Sequence, residues 1–228
     1  MIGIIGAMRL EVTEIRAMLT DPSEETVGGI RFTKGYLGAE EAVVAVCGIG
    51  KVFAAVCAQT MILNYHPDRI LNVGVAGSLD PDLKVCDLVV AESAVQHDMD
   101  TSPLGDPKGM LSGLDLVYLP CDGPFAARIR EAALACGLHV KSGIVASGDQ
   151  FVALPERKKE IREQFGASAC EMEGAAIGQV CCWHRVPFCI VRAISDGADG
   201  DGSMDYVTFC GEAAKNTSAV VRKLFAID

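Results

Sequence analysis

Three acidic residues stand where carboxylates are costly. Glu11 follows the run "MIGIIGAMRL", Glu173 lies in "SACEMEGAAIGQVCCWH", and Asp196 follows "FCIVRAIS". Each has apolar neighbours, and each falls just beyond an apolar run that reads as a strand, or at the threshold of a helix. A single acid in the first turn of a helix is stabilised by the helix dipole by about 0.3–1 kcal/mol. Asp196 alone could serve as an N-cap. Three acids on one edge of one sheet ask for a further reason. A buried carboxyl costs free energy unless it is paired or protonated, so a shared site accounts for them better than three separate caps. The chemistry within reach of such a site is proton transfer by positioned carboxyls.

The elements that must position these acids read as alternating strands and helices. Strands are predicted at 2–5, 42–47, 69–74, 87–91, 143–147 and 188–193, mostly without period-two alternation, as in strands buried on both faces. Helices are predicted at 9–19, 51–65, 123–137, 154–166 and about 205–225. The segment 168–184 also reads as one helix opening on Glu171, Met172 and Glu173. The helix 154–166 is charged and expected to be exposed. The stretch 28–46 reads as adjacent antiparallel strands. Repeated strand–helix units with an antiparallel portion predict an α/β fold: one domain, 1–228, with a central mixed twisted sheet flanked by helices. The longest irregular stretch, about 97–120, is a candidate functional or interface loop.

Glycine turns end three of the strands: "GIIGAM", "CGIGKVFAA" and "NVGVAGSL". None is a phosphate loop. Ala45 and Val52 occupy the first-glycine and hydroxyl positions of a P-loop, and Phe53 replaces the third glycine of a dinucleotide fingerprint. They place close backbone approaches at the carboxyl ends of strands, where open α/β sheets bind ligands.

Composition narrows the function classes. With 30 acidic and 20 basic residues in 228, the net charge is −10, which disfavours a nucleic-acid partner. No apolar run reaches the roughly 18 residues of a membrane span, and "MIGIIGAM" carries no basic leader, so a cytoplasmic location is expected. The ten cysteines form no C-x-x-C pair and sit mostly in apolar runs, as reduced, buried thiols would. No metal is expected.

Taken in order, "GIIGAM…EV", "GIGKV.AA", "N.G.AG.L", "ASGDQFV", "EMEGAAI" and "VRAISDGAD" resemble the methylthioadenosine/S-adenosylhomocysteine nucleosidases of the nucleoside phosphorylase superfamily, over nearly the whole chain. The resemblance implies cofactor-free hydrolysis of the bond between adenine and ribose in an adenine thionucleoside, through an oxocarbenium-like state. It implies Asp196 as the general acid on the five-membered-ring nitrogen, held neutral by burial and oriented by Ser195. It implies Glu11 as the group that binds and activates water, and Glu173 as the grip on the ribose hydroxyls, its charge favouring a cationic sugar. Met172 would lie on the ribose face, Phe151 would stack on the base, and the Val152 backbone would read its edge. Met8 and Tyr206 would border the thioether tail. Glu171 is assigned to structure.

Related phosphorylases hold phosphate with an arginine and a serine around the "VG" turn. This chain has Asn72 and Val75 there, which argues for water as nucleophile. Val75 also replaces a serine common among the nucleosidases, and "MRLEV" is less acidic than their usual "MEEEV". Futalosine-type hydrolases share much of the pattern, and a phosphate-dependent phosphorylase of the same fold is the other alternative. The resemblance also implies a homodimer, with the helix 51–65 and the loop 97–120 as candidate interface elements.

Overall fold

The computed structural model describes residues 1–198 and 202–227, with side chains in the last helix described at Tyr206 and from Phe209 onward. The chain opens with β1 (Ile2–Gly6) and α1 (Arg9–Ala17), then an antiparallel meander of β2 (Thr20–Val27), β3 (Ile30–Leu37) and β4 (Glu40–Val46). α2 (Lys51–Tyr65), β5 (Arg69–Ser78), β6 (Leu88–Gln96), β7 (Leu119–Pro120) and α3 (Gly123–Ala135) follow. The chain continues through β8 (Val140–Ser147), α4 (Pro155–Phe165), β9 (Ala167–Glu171), α5 (Gly174–His184), β10 (Phe188–Asp196) and α6 (Gly202–Leu224). The expected mixed α/β sheet flanked by helices is what forms.

Two features go beyond the sequence reading. First, the sheet closes on itself. β5 pairs with β10, β10 with β6, β6 with β8, β8 with β9, and β9 returns to β5. β1, β4, β3 and β2 extend outward from β5. Second, 168–184 is not one helix. Its first residues form β9, buried throughout, and the helix begins only at Gly174. A five-residue strand of small side chains buried on both faces has no period to distinguish it from a helical start. β2 was also unassigned. It is an exposed edge strand carrying Pro22, with neither apolar alternation nor a buried face to announce it.

Period-two alternation sorts the sheet's side chains to two faces. Ile5, Val43, Ala45 and Ile70 join Cys57, Ala58 and Met61 of α2 and Ile177 and Cys181 of α5 in one core. Ile4, Val44, Leu71 and Val73 join Val12 and Ile15 of α1, Ile129 of α3 and Val220 of α6 in the other. Each such isoleucine or valine, fully buried, stabilises the fold by about 1.5–3 kcal/mol. A third, smaller cluster joins Ile161 and Phe165 of α4 to Ala167 and Cys170 of β9. The two helical layers thus clamp the sheet and fix the strand ends from which the acids project.

Candidate active site

A cavity of about 360 Å³ opens at the carboxyl ends of β1, β5 and β10, within the size range of small-ligand pockets. All ten residues singled out from the sequence line it: Glu11, Glu173, Ser195, Asp196, Met8, Val75, Phe151, Val152, Met172 and Tyr206. Its walls are largely apolar, with the carboxyls gathered at the inner end.

Glu11 is the third residue of α1, where its side chain returns a capping bond to the Met8 N–H (2.9 Å). The same oxygen, Oε2, accepts the Ala7 N–H at 2.7 Å, and Oε1 accepts the Val75 N–H at 3.1 Å. The capping role and a site role therefore coexist in one residue. Burial raises the Glu11 pKa, against the opposing Arg192 charge and these three N–H groups. A side chain at Gly74 could not share this space: a Cβ there would press on Glu11 Oε1 and stand 3.0 Å from Arg192 Nη1.

Glu173 is the N-cap of α5, and its Oε1 accepts the Gly50 N–H at 2.8 Å. Gly50 has φ of +100°, a conformation open to glycine, which turns that N–H into the pocket. Burial, then repulsion from Glu171, pushes the Glu173 carboxyl up to about 8. At that value the carboxyl favours its protonated form at neutral pH. A protonated carboxyl can donate to one hydroxyl and accept from another.

Asp196 ends β10. Its Oδ1 accepts from Ser195 Oγ at 2.9 Å, as expected, and Gly77 of β5 stands opposite. A Cβ at Gly77 would lie 2.7 Å from Asp196 Oδ2, so this glycine makes room for the acid. Sequence reasoning missed the partner of its other oxygen. Oδ2 accepts from Lys158 Nζ at 2.7 Å, both side chains being almost wholly buried. The reading of 154–166 as an exposed charged helix fails at that same residue. Lys158, Ile161 and Phe165 are the buried face of α4, and their spacing of three and four residues was the available signal.

Behind the pocket lies a second network that sequence reasoning missed. Arg192 of β10, 1 % exposed, reaches Glu171 and the Asn72 side-chain oxygen with Nη2. Ser147 Oγ donates to Glu171 and accepts the Ala175 N–H at 2.7 Å. Glu171 also accepts the N–H groups of Glu173 (3.0 Å) and Gly174 (2.8 Å). Burial would raise the Glu171 pKa, but the Arg192 charge and these donors outweigh it and hold it low. Through these bonds Glu171, which also borders the cavity, fixes the turn that aims Glu173. The cation expected to be missing near the "VG" turn thus exists as Arg192, but it is sealed off from the cavity. Among the described residues, no lysine or arginine lines the cavity.

On the outer side, Phe151 is half exposed and meets Tyr206 edge-on, ring centroids 5.4 Å apart. The Tyr206 hydroxyl donates to the Met8 thioether sulfur at 3.1 Å. Aromatic and thioether side chains here form an apolar mouth over an acidic interior. Inside, four carboxyls (Glu11, Glu171, Glu173 and Asp196) face two buried cations, Arg192 and Lys158. Burial is the largest cause of the upward shifts at Glu11 and Glu173, and at Glu173 the neighbouring Glu171 charge adds to it.

Known proteins share both sequence and architecture. The family model of the phosphorylase superfamily matches residues 1–226. A 5'-methylthioadenosine/S-adenosylhomocysteine nucleosidase of Staphylococcus carnosus is 36% identical over 225 residues, covering 98% of each chain. An aminodeoxyfutalosine nucleosidase of Helicobacter pylori is 39% identical over 224 residues, covering 98% of this chain and 96% of the relative. The solved nucleosidase of Neisseria meningitidis in complex with methylthio-immucillin-A superposes with a TM-score of 0.94 at 34% identity, covering 98% of this chain and 97% of that one. Full-length agreement in sequence, together with the closed sheet and its acid-lined cavity, makes this chain a member of the methylthioadenosine/S-adenosylhomocysteine nucleosidase family of the phosphorylase superfamily.

Proposed function

We infer that the chain hydrolyses the N-glycosidic bond of 5'-methylthioadenosine and S-adenosylhomocysteine, releasing adenine and the thioribose product. One observation carries the reading: three carboxyls, Glu11, Glu173 and Asp196, converge on one apolar-mouthed cavity that offers no cation to an anionic nucleophile. An oxocarbenium-like sugar gains from acids placed nearby, whereas inorganic phosphate would find no lysine or arginine among the described residues that line the cavity. Water is therefore the nucleophile. Glu11, fixed by three N–H groups and with its proton affinity raised by burial, receives the proton of the attacking water. Glu173 engages the ribose hydroxyls from its protonated carboxyl. Asp196, held by Ser195, protonates the departing base. General acid catalysis of this kind contributes about 10²–10⁴ in rate. Phe151 and the Val152 backbone take the base, Met172 the ribose face, and Met8, Val75 and Tyr206 the thioether tail.

Residues 1–228 act as one catalytic domain. The protein works in the cytoplasm, in keeping with ten free cysteines and with the absence, among the described residues, of a helix long and apolar enough to cross a membrane. It works as a homodimer: Val52, Phe53, Val56 and Leu63 leave a face of α2 exposed, next to Ile49 of the pocket rim. Aminofutalosine-type nucleosides are the second substrate reading, favoured by the 39% identity to the H. pylori enzyme.

The test is adenine release from methylthioadenosine, adenosylhomocysteine and aminofutalosine, with and without phosphate. Phosphate-independent release from the first two is expected. No release from any of them, or release that requires phosphate, refutes the assignment.

A further inference from the structure

The reaction as derived leaves Lys158 without a part. It is 1 % exposed, and lysine is almost never buried so completely without a reason. As a stabilising device the pair with Asp196 is a poor choice. Desolvating two charges offsets most of their attraction, and apolar residues of similar shape do as well or better. The position of Lys158 is more informative. Its ammonium donates to Asp196 Oδ2 at 2.7 Å and to the Gly197 carbonyl at 2.6 Å. Asp196 lines the main cavity, while Lys158 lines a separate one of about 260 Å³ on the other side, with Glu156, Lys159 and Arg162. The lysine is thus the link between the acid and an outer polar cleft.

We propose that Lys158 holds the proton that Asp196 passes to the departing base, and regains its own from water in the outer cleft. The inference rests on the reading of Asp196 as the acid. The step balances. As the bond between the sugar carbon and the base breaks, its electron pair leaves with the base. The five-membered-ring nitrogen takes a proton through Asp196 Oδ2, and Oδ2 is replenished from Lys158 Nζ, leaving a neutral amine. Water adds its oxygen to the sugar carbon and gives a proton to Glu11. Between turnovers Glu11 loses that proton to solvent and Lys158 gains one. Lys158 touches no substrate, so it is a positioning and proton-holding residue acting through Asp196.

Other groups face the pair, among them Glu11 of α1 and Glu173 at the start of α5. Ser195 lies on β10, Cys170 on β9, Tyr206 on α6, and Glu156, Lys159 and Arg162 on α4. Burial pushes both the Cys170 thiol and the Tyr206 phenol up to about 12, so neither changes charge between pH 5 and pH 9. Glu173, raised to about 8, titrates in this range in wild type and Lys158 variants alike, so the shift between them is what is read.

The experiment is the pH profile of kcat/KM for methylthioadenosine in wild type, Lys158→Met, Lys158→Gln and Lys158→Arg. Rates are counted per active site by titration with a tight-binding analogue. In the uncharged variants Asp196 must hold its proton alone. Their alkaline limb is expected to move to lower pH by about one unit or more, with rates near pH 5 within about threefold of wild type. Arginine keeps the charge but does not surrender its proton, so Lys158→Arg should fall at least about tenfold rather than rescue. A limb that stays in place in the uncharged variants, or an arginine variant at wild-type rate, overturns the relay. If wild type itself releases no adenine, the underlying reading fails instead, and the two failures are distinguishable.

Discussion

The Glu173→Gln substitution should make the protein more stable, and increasingly so as pH rises from 5 to 8. Glu173 is 6 % exposed, so solvent screens it little. Its carboxyl is raised from 4.5 to about 8 by burial and by Glu171. The sign follows from which state binds more protons. Between those values the folded protein holds a proton on Glu173 that the unfolded chain has released. Stability due to that proton is complete below 4.5 and is lost as pH climbs through 8. At about 1.4 kcal/mol per pH unit, the interval sets an upper bound of about 5 kcal/mol. Glutamine imitates the neutral acid and carries no such dependence. Its carbonyl can still accept the Gly50 N–H, which Glu173 takes at 2.8 Å. Urea midpoints of wild type and variant, at equal protein concentration and at half-unit pH steps, measure the difference directly. The variant's advantage should grow through pH 5–8 and then level off. A difference that is flat across this range, or a wild type that gains on the variant with rising pH, refutes the picture of an acid forced neutral.

Other outcomes follow from the same geometry. Asp196→Asn should abolish adenine release while an uncharged substrate analogue still binds, measured by calorimetry. Arg192→Met should strand Glu171 and its ring of N–H donors, costing about 3–5 kcal/mol in chemical denaturation. Gly77→Ala inserts a methyl 2.7 Å from Asp196 Oδ2; kcat should fall about 10²-fold with far-ultraviolet dichroism unchanged.

What could be seen beforehand divides along physical lines. Ile4, Val44 and Val191 sit in apolar runs, and such runs mark buried strands whatever their partners. Closure of the sheet was not visible, because pairing β9 to β5 rests on the two residue pairs Gly77–Cys170 and Ser78–Ala169, far apart in the chain. The acids of the pocket were legible because carboxyls among apolar residues are conspicuous. The residues that discipline them were not. Arg192, Ser147 and Asn72 look like ordinary polar interruptions until folding brings them to Glu171. Lys158 hid among the charges of "PERKKEIREQF", where only its register with Ile161 set it apart. Gly74 and Gly77 read as turn formers, yet both lie inside β5 and serve by lacking a side chain.

The outermost strand, β2, limits how this molecule can meet copies of itself. Its backbone is the long unpaired border of the described sheet, and it presents Asp21, Pro22, Glu24 and Glu25 to solvent. An imide that cannot donate and a row of like charges repel an incoming chain, so ribbon-to-ribbon growth is blocked there. A destabilised form of this protein should therefore resist templated fibre growth from that side.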